Sequence, residues 1–338
     1  MSSALIRSAI LFTGMVAVVI SGCSSDSNNP SGVASNDASG DFIDFGSSLI
    51  TLDSVRPVDE AMGALLTALN ENDAITALPV IDHQANAASI DESLRPTSVQ
   101  LFGNPALGTP LMQHSQLVGL DLPQKIIAWE NEDAEVKLAY NSVDYLQQRH
   151  SIEGDAAALE ALTKIGNALN ALATNASGST DGNVDRAVQI PIDMCAADDP
   201  CHPGQGIDAV VSSQDMETTY AALVSAIENS EALRVFVELD HAANAQTVGM
   251  ELNPTRLVIF GNPNAGTPLM QAEQSIGIDL PQKMLVFENE EGVVRIVWND
   301  PLFLATRHGI EDQDERLAAI SGVLEGLANE AAGIVVDE

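Results

Sequence analysis

The sequence predicts an α+β protein built of two tandem two-layer units that pack together as a pseudo-dimer. Its 338 residues are enough for two ordinary domains, each with its own core. A single offset of 158 positions carries the first half onto the second without a gap: Asp82-His83 falls on Asp240-His241, Phe102 on Phe260, and Arg149-His150 on Arg307-His308. Roughly half of the aligned positions are identical, and a period this long marks duplicated domains rather than a solenoid. Each half also shows the same order of periodic segments: strand, helix, four strands, helix. Helices on one face of a mostly antiparallel sheet make a two-layer unit.

The elements read most clearly in the second half. Asp208 to Ser213 (DAVVSS) is a short strand, and Asp215 caps a helix with Tyr220, Leu223, Val224 and Ile227 on one face. Leu233–Leu239 alternates as a strand, and Thr255–Phe260 is another. Lys283–Glu288 and Val293–Trp298 pair as a hairpin through Asn289-Glu290-Glu291-Gly292. A final helix from Asp314 to Glu330 carries Leu317, Ile320, Leu324 and Leu327 on one stripe. The first repeat spans 48–172, a linker 173–207, and the second repeat 208–331. Trp129 and Trp298 fall on strands and read as core or sheet-face residues.

The net charge is −34, with only four lysines: Lys125, Lys137, Lys164 and Lys283. Such a field repels phosphate backbones, so no nucleic-acid partner is expected. Residues 1–22 read as a signal peptide, with Arg7 before an apolar run from Ala9 to Ile20 that is too short to span a bilayer comfortably. The run ends in Ile20-Ser21-Gly22-Cys23, which resembles the lipobox of bacterial lipoproteins. That resemblance implies lipidation of Cys23, a membrane anchor, and a cell-envelope location. Ser24 favours the outer membrane, with the protein facing the periplasm. Residues 23–41 then form a polar, flexible tether. In an exported protein Cys195 and Cys201 are expected to form a disulfide. His202 beside them does not make a c-type haem site, because five residues rather than two separate the cysteines; zinc would lack a fourth clustered ligand.

The repeated residues carry a further resemblance. Asp-His, the FGNP phrase, Gly-Thr-Pro-Leu-Met, Asp-Leu-Pro-Gln-Lys and the closing Arg-His occur in both halves, and together they look like the domain-of-unknown-function family 302. The resemblance covers about 48–172 and 206–331. It implies a fold similar to that of the TATA-binding protein, but no activity, so any cofactor is unknown. The first copy departs at Ser151, Val143 and Asp133-Ala134, where the second has Gly309, Pro301 and Glu291-Gly292.

The candidate ligand-binding residues are the repeated polar ones: Asp82, His83, Asn104, Lys125, Arg149 and His150, with Asp240, His241, Asn262, Lys283, Arg307 and His308. Brought together, Asp, His and Arg would bind a small anion, or two histidines and a carboxylate would hold a metal. The alternative is structural: Asp82 and Asp240 cap short helices, the histidines pack, and each lysine pairs with an acid such as Asp121 or Asp279. FGNP is expected as a rigid loop covering the sheet, because two prolines remove the amide donors an anion nest needs. Leu111-Met112 and Leu269-Met270 then return the chain to apolar cover as a short helix from Pro110 and Pro268. The function expected is binding of a small ligand, anion, metal or protein partner; the rival is an enzyme with a histidine base and Arg or Lys fixing an anionic substrate. No nucleophile elbow, zincin motif, Walker loop or dinucleotide fingerprint is present.

Overall fold

The computed structural model describes residues 42–179, 182–191 and 205–334, which fall in one compact unit. Residues 1–41, with Cys23 and the tether, lie outside the described residues, as do Cys195, Cys201 and His202.

In the first repeat, β1 (Phe42–Ser54) is followed by α1 (Val58–Asn70), β2 (Thr76–Asp82), α2 (His83–Ala88) and β3 (Thr97–Gly103). Then come α3 (Pro105–His114), a 3-10 turn (Gln116–Leu120), β4 (Gln124–Glu130), β5 (Val136–Asn141), α4 (Val143–Arg149) and α5 (Ala156–Ser177). After β6 (Gly182–Pro191), the second repeat runs β7 (Ile207–Val211), α6 (Met216–Glu228), β8 (Arg234–Asp240), α7 (His241–Thr247) and β9 (Thr255–Gly261). It ends with α8 (Pro263–Ala272), a 3-10 turn (Gln274–Ile278), β10 (Gln282–Glu288), β11 (Val294–Asn299), α9 (Pro301–His308) and α10 (Asp314–Ala331). Strand, helix, four strands and helix therefore recur in each half, with short helices inserted at matching places.

Both sheets are antiparallel between all paired neighbours. The first has the order β2-β3-β4-β5-β1-β6 and the second β7-β11-β10-β9-β8. The stretch read as linker thus adds an edge strand, β6, that pairs with β1. Its short Val- and Ile-containing run sits in polar sequence. Pairing of its backbone with β1, which composition does not announce, makes it a strand.

Why the repeats pair is visible in β4, QKIIAWE, where six consecutive residues are buried. An antiparallel sheet with one wet face alternates; burial on both faces means both are covered. Ile126 and Ala128 join Ala61 and Leu65 of α1 and Leu162 and Ile165 of α5 in the core under the helices. Ile127 and Trp129 face the other way, into a second core with Leu257, Ile259, Leu285 and Phe287 of the opposite sheet. The molecule is thus helices, sheet, sheet, helices, and the pseudo-dimer joint is an apolar core in its own right.

The FGNP phrase is corrected by the structure. It is not a loop but the start of a helix: Asn104 and Asn262 are N-caps whose side chains accept from Ala106 and Asn264 amides, with Pro105 and Pro263 at the first helical position. Proline fits there because that N–H has no helical partner and the fixed φ is already helical. Pro110 and Pro268, the expected helix starts, lie inside these helices, where a proline is normally costly, so the helices begin more than a turn earlier than the sequence suggests.

Candidate functional site

The repeated polar residues separate into two places. The first is a charged clasp where the two repeats meet. Asp121 and Asp279 end the 3-10 turns, and each is buried. Arg149, on α4, donates to both Asp121 oxygens at 3.2 and 2.9 Å, and His150 Nε2 donates to Oδ2 at 2.7 Å. In the second repeat Arg307 Nη1 donates to Asp279 Oδ2 at 2.6 Å and His308 Nε2 to the same oxygen at 2.9 Å. Each arginine also crosses the joint: Arg149 donates to Asn299 Oδ1 at 2.8 Å, and Arg307 to Asn141 Oδ1 at 2.7 Å. The guanidinium of Arg307 lies 4.1 Å from the Tyr145 ring centre, and that of Arg149 lies 4.8 Å from the Phe303 ring, again across the joint.

Lys125 reaches across the joint as well, with Nζ 3.7 Å from Asp279 Oδ1, while Lys283 donates to the Asp279 carbonyl at 2.8 Å. Arg149, Arg307 and Lys125 therefore share two buried carboxylates, with Lys283 held beside them by a main-chain carbonyl. Burial alone would push the Asp121 and Asp279 carboxyls up. The arginines and the histidine hydrogen bonds outweigh it and hold both well below the usual carboxylate range. Burial, and then the Lys125 charge, bring Lys283 down from 10.5 to about 7. Burial likewise lowers His150 and His308, against the hydrogen bonds to Asp121 and Asp279 that raise them. Ser275 then donates to Nδ1 of His308 at 2.9 Å. The ion pairs tie the two repeats together, while Lys125 Nζ, His150 Nδ1, Asp279 Oδ1, Arg307 Nε and Asn299 Nδ2 are left without hydrogen-bond partners.

The second place is a pair of clefts between the repeats. Asp82 and Asp240 cap α2 and α7, accepting from the Ala85 and Ala243 amides. His83 and His241, next in sequence, turn into the joint. His83 Nε2 meets the Gly277 carbonyl of the other repeat at 3.0 Å. His241 is turned toward Gly119 in the matching place, and that carbonyl supports it electrostatically, but its Nε2 makes no well-formed hydrogen bond. Burial takes both histidines from 6.5 to about 4, so both are neutral at neutral pH.

His241 lines a cavity of about 250 Å³. Its wall from the first repeat includes Leu78, Phe102, Asn104, Leu107, Met112 and Leu169, and the second repeat adds Leu239 and Asn244. Three buried polar atoms in this wall have no hydrogen-bond partner: Thr109 Oγ1, Gln124 Nε2 and His241 Nε2. The matching cleft, lined by His83, Phe236, Asn262, Thr267, Pro281 and Gln282, encloses only about 60 Å³. Among the described residues no group of three His, Cys, Asp or Glu side chains is placed to hold a metal.

With this geometry in view, a family model described as "Domain of unknown function DUF302" matches residues 50–172 and 209–327. The chain belongs to the DUF302 family. The fluoride-specific ion channel FluC 1 of Brucella suis biovar 1 (strain 1330) is 46% identical over 87 residues, which is 26% of this chain and 34% of that protein. The fluoride-specific ion channels FluC 1 of Brucella abortus and FluC 2 of Brucella melitensis match at the same identity and length, over 32% of each. The chain therefore spans about a third of the length of these curated relatives. A crystal structure of an uncharacterized conserved DUF302 protein from Bacillus stearothermophilus is 20% identical, with a TM-score of 0.35, covering 37% of this chain and 98% of that one.

Of the twelve candidate residues, Lys125, Arg149, His150, Lys283, Arg307 and His308 meet in the clasp of the two DUF302 domains. Asp82, His83, Asn104, Asp240, His241 and Asn262 gather instead at the clefts, pairing the Asp-His helix of one domain with the FGNP helix of the other. Thr109 and Gln124 were not singled out, nor were Asn141 and Asn299. All four repeat at the offset of 158, as Thr267, Gln282 and the Asn141–Asn299 pair, so the duplication held the signal.

Proposed function

We propose that this DUF302 chain is a lipid-anchored envelope protein that binds a small, mostly apolar molecule in the cleft between its repeats. The observation carrying the reading is the set of three unpartnered polar atoms, Thr109 Oγ1, Gln124 Nε2 and His241 Nε2, in the mostly apolar wall of the 250 Å³ cavity. A buried polar group without a partner costs roughly 1–3 kcal/mol, and a ligand that hydrogen-bonds there recovers it. An engineered apolar cavity of about 150 Å³ admits benzene, so this one has room for a molecule of about ten heavy atoms. The enzyme reading has less support: His150 and His308 spend their Nε2 atoms on carboxylates inside the clasp. The channel name of the Brucella relatives stays with those proteins, of which this chain matches about a third.

Native mass spectrometry of the chain released gently from its own membranes tests the binding. The expected spectrum shows a small adduct that Thr109→Val with Gln124→Leu removes. Bare chain throughout, with the double variant simply more stable, would sink the reading. The anchor rests on Ile20-Ser21-Gly22-Cys23 alone. Labelled palmitate should enter the wild-type chain and not Cys23→Ala.

A further inference from the structure

The last helix sits differently in the two repeats. Gly166 of α5 lies close against α4, where a methyl added to it would stand 3.1 Å from Val143 Cγ1. At the same places the second repeat has Leu324 and Pro301, so α10 carries bulk where α5 has none. In the first repeat α5 packs along α3, and Ile165 is 4% exposed. Its counterpart Val323 is 49% exposed, and α10 reaches α8 through Arg316, whose Nη1 donates to the Asn264 carbonyl at 3.1 Å. Between α8 and α10 runs a groove of about 890 Å³, with Leu233, Phe260, Ala265, Ile320 and Val323 in its apolar lining. Ala265 stands where the first repeat has the larger Leu107, which deepens it.

The groove shares Gly261, Asn262, Ala265, Gln282 and Ile320 with the small cleft beside His83, so the two are continuous. The inner end holds two unmet polar atoms: Gln282 Oε1, on a residue 9% exposed, and Thr267 Oγ1, on one fully buried. An amide oxygen only accepts, so Gln282 Oε1 calls for a donor. The outer rim is acidic. Asp312, Asp314 and Glu315 line it, all exposed and none in an ion pair among the described residues. Arg316 also lines it but spends its guanidinium on Gln313 Oε1 at 3.2 Å and on the Asn264 carbonyl. Asp312 has a φ of 59°, a left-handed position where the first repeat has Gly154, and Ala156 and Ala157 stand where the second has Asp314 and Glu315. The first cleft, by contrast, has no charged side chain among its described lining.

We infer that the second repeat carries a site of its own, separate from the first cleft, for a small amphiphilic amine. Its ammonium meets Asp312, Asp314 and Glu315, its apolar body lies over Leu233, Ile320 and Val323, and a hydrogen-bond donor at its inner end meets Gln282 Oε1. The net charge of −34 draws any cation toward the chain, so the apolar floor and Gln282 select among cations. An anion of the same shape faces both that field and the three rim carboxylates.

Fluorine NMR of the full chain with 3-fluorotyramine tests this, at a salt concentration that screens general attraction to the acidic surface. Three matches each lack one feature: 3-(3-fluoro-4-hydroxyphenyl)propanoate the ammonium, 2-(3-fluorophenyl)ethylamine the hydroxyl donor, and 2-fluoroethylamine the apolar body. Saturable binding of one fluorotyramine per chain is expected, with every match weaker by about fivefold or more. Asp312→Gly with Asp314→Ala and Glu315→Ala copies the rim of the first repeat, and Ala265→Leu copies its floor; each should weaken binding about fivefold or more. The rim residues are exposed, so that variant decides the matter even if Ala265→Leu disturbs packing, and an unchanged circular-dichroism melt confirms that it folds. No binding to the wild type, equal binding of the propanoate, or indifference to the rim and floor variants would overturn the inference. So would loss of the amine on Thr109→Val with Gln124→Leu, which would put it in the first cleft.

Discussion

Arg307 donates to Asn141 Oδ1 at 2.7 Å, joining an arginine in the last turn of α9 in the second repeat to the end of a central strand in the first. The same guanidinium holds the Asp279 carboxylate. Arg307→Met should therefore strip a buried charge of its main partner and empty the Asn141 contact together. A loss of about 3–5 kcal/mol is expected in urea unfolding. Arg307→Lys should recover little of it, since an ammonium does not reproduce the planar fork that reaches Asp279, Asn141 and the Ser48 carbonyl at once.

Lys283 should behave in the opposite sense. Its folded value of about 7 lies below the ordinary 10.5, so the unfolded chain holds the proton more tightly between those limits. Stability from this group rises as pH climbs from about 7 toward 10.5, and its penalty is complete below 7. Lys283→Met should raise the melting temperature at pH 7, and the gain should fade toward pH 10. A variant that destabilises equally at both pH values would show that the hydrogen bond to the Asp279 carbonyl outweighs the desolvation.

His83 and His241 predict an acid limb. Both have folded values near 4 against 6.5, so the stability of their neutral forms is complete above 6.5 and is lost as pH falls toward 4. Each contributes about 3 kcal/mol over that window by linkage. Urea midpoints measured from pH 7 to pH 4 should fall, and His83→Gln with His241→Gln should flatten the curve.

Gly277 is the seat on which His83 rests. A methyl there would stand 2.8 Å from Ile127 Cδ1 and 3.3 Å from His83 Cδ2, both in the other repeat. Gly277→Ala should cost about 1–3 kcal/mol by overpacking the joint. Gly63→Ala, in α1 with open space around it, should instead stabilise by about 0.5–1 kcal/mol. Thermal melts of the two variants should move in opposite directions.

Much of the fold was legible because its causes are local or repeated. Alternation in Leu233–Leu239 and the i, i+3, i+4, i+7 stripe of Tyr220, Leu223, Val224 and Ile227 mark a strand and a helix that the structure contains. The duplication showed that one solution was used twice. The start of the FGNP helix was not legible, because Pro110 and Pro268 argue locally against a helix running through them that neighbouring packing supports. Strand β6 was not either, since an edge strand takes its hydrogen bonds from β1 and little from its own sequence.

By itself, then, the sequence determined the two-unit α+β plan, the family and the set of polar residues worth watching. Those follow from periodicity and from an offset that needs no coordinates. Only the tertiary structure decided how that set divides. Arg149 and Arg307 close on asparagines of the opposite repeat, and His83 and His241 turn into clefts formed with the opposite FGNP helix. Each partner lies well over a hundred residues away, and only the burial of two sheet faces against one another brings them together. The same burial separates a charged clasp, in which two arginines and two histidines hold two carboxylates, from a mostly apolar cleft lined by Thr109, Gln124 and His241.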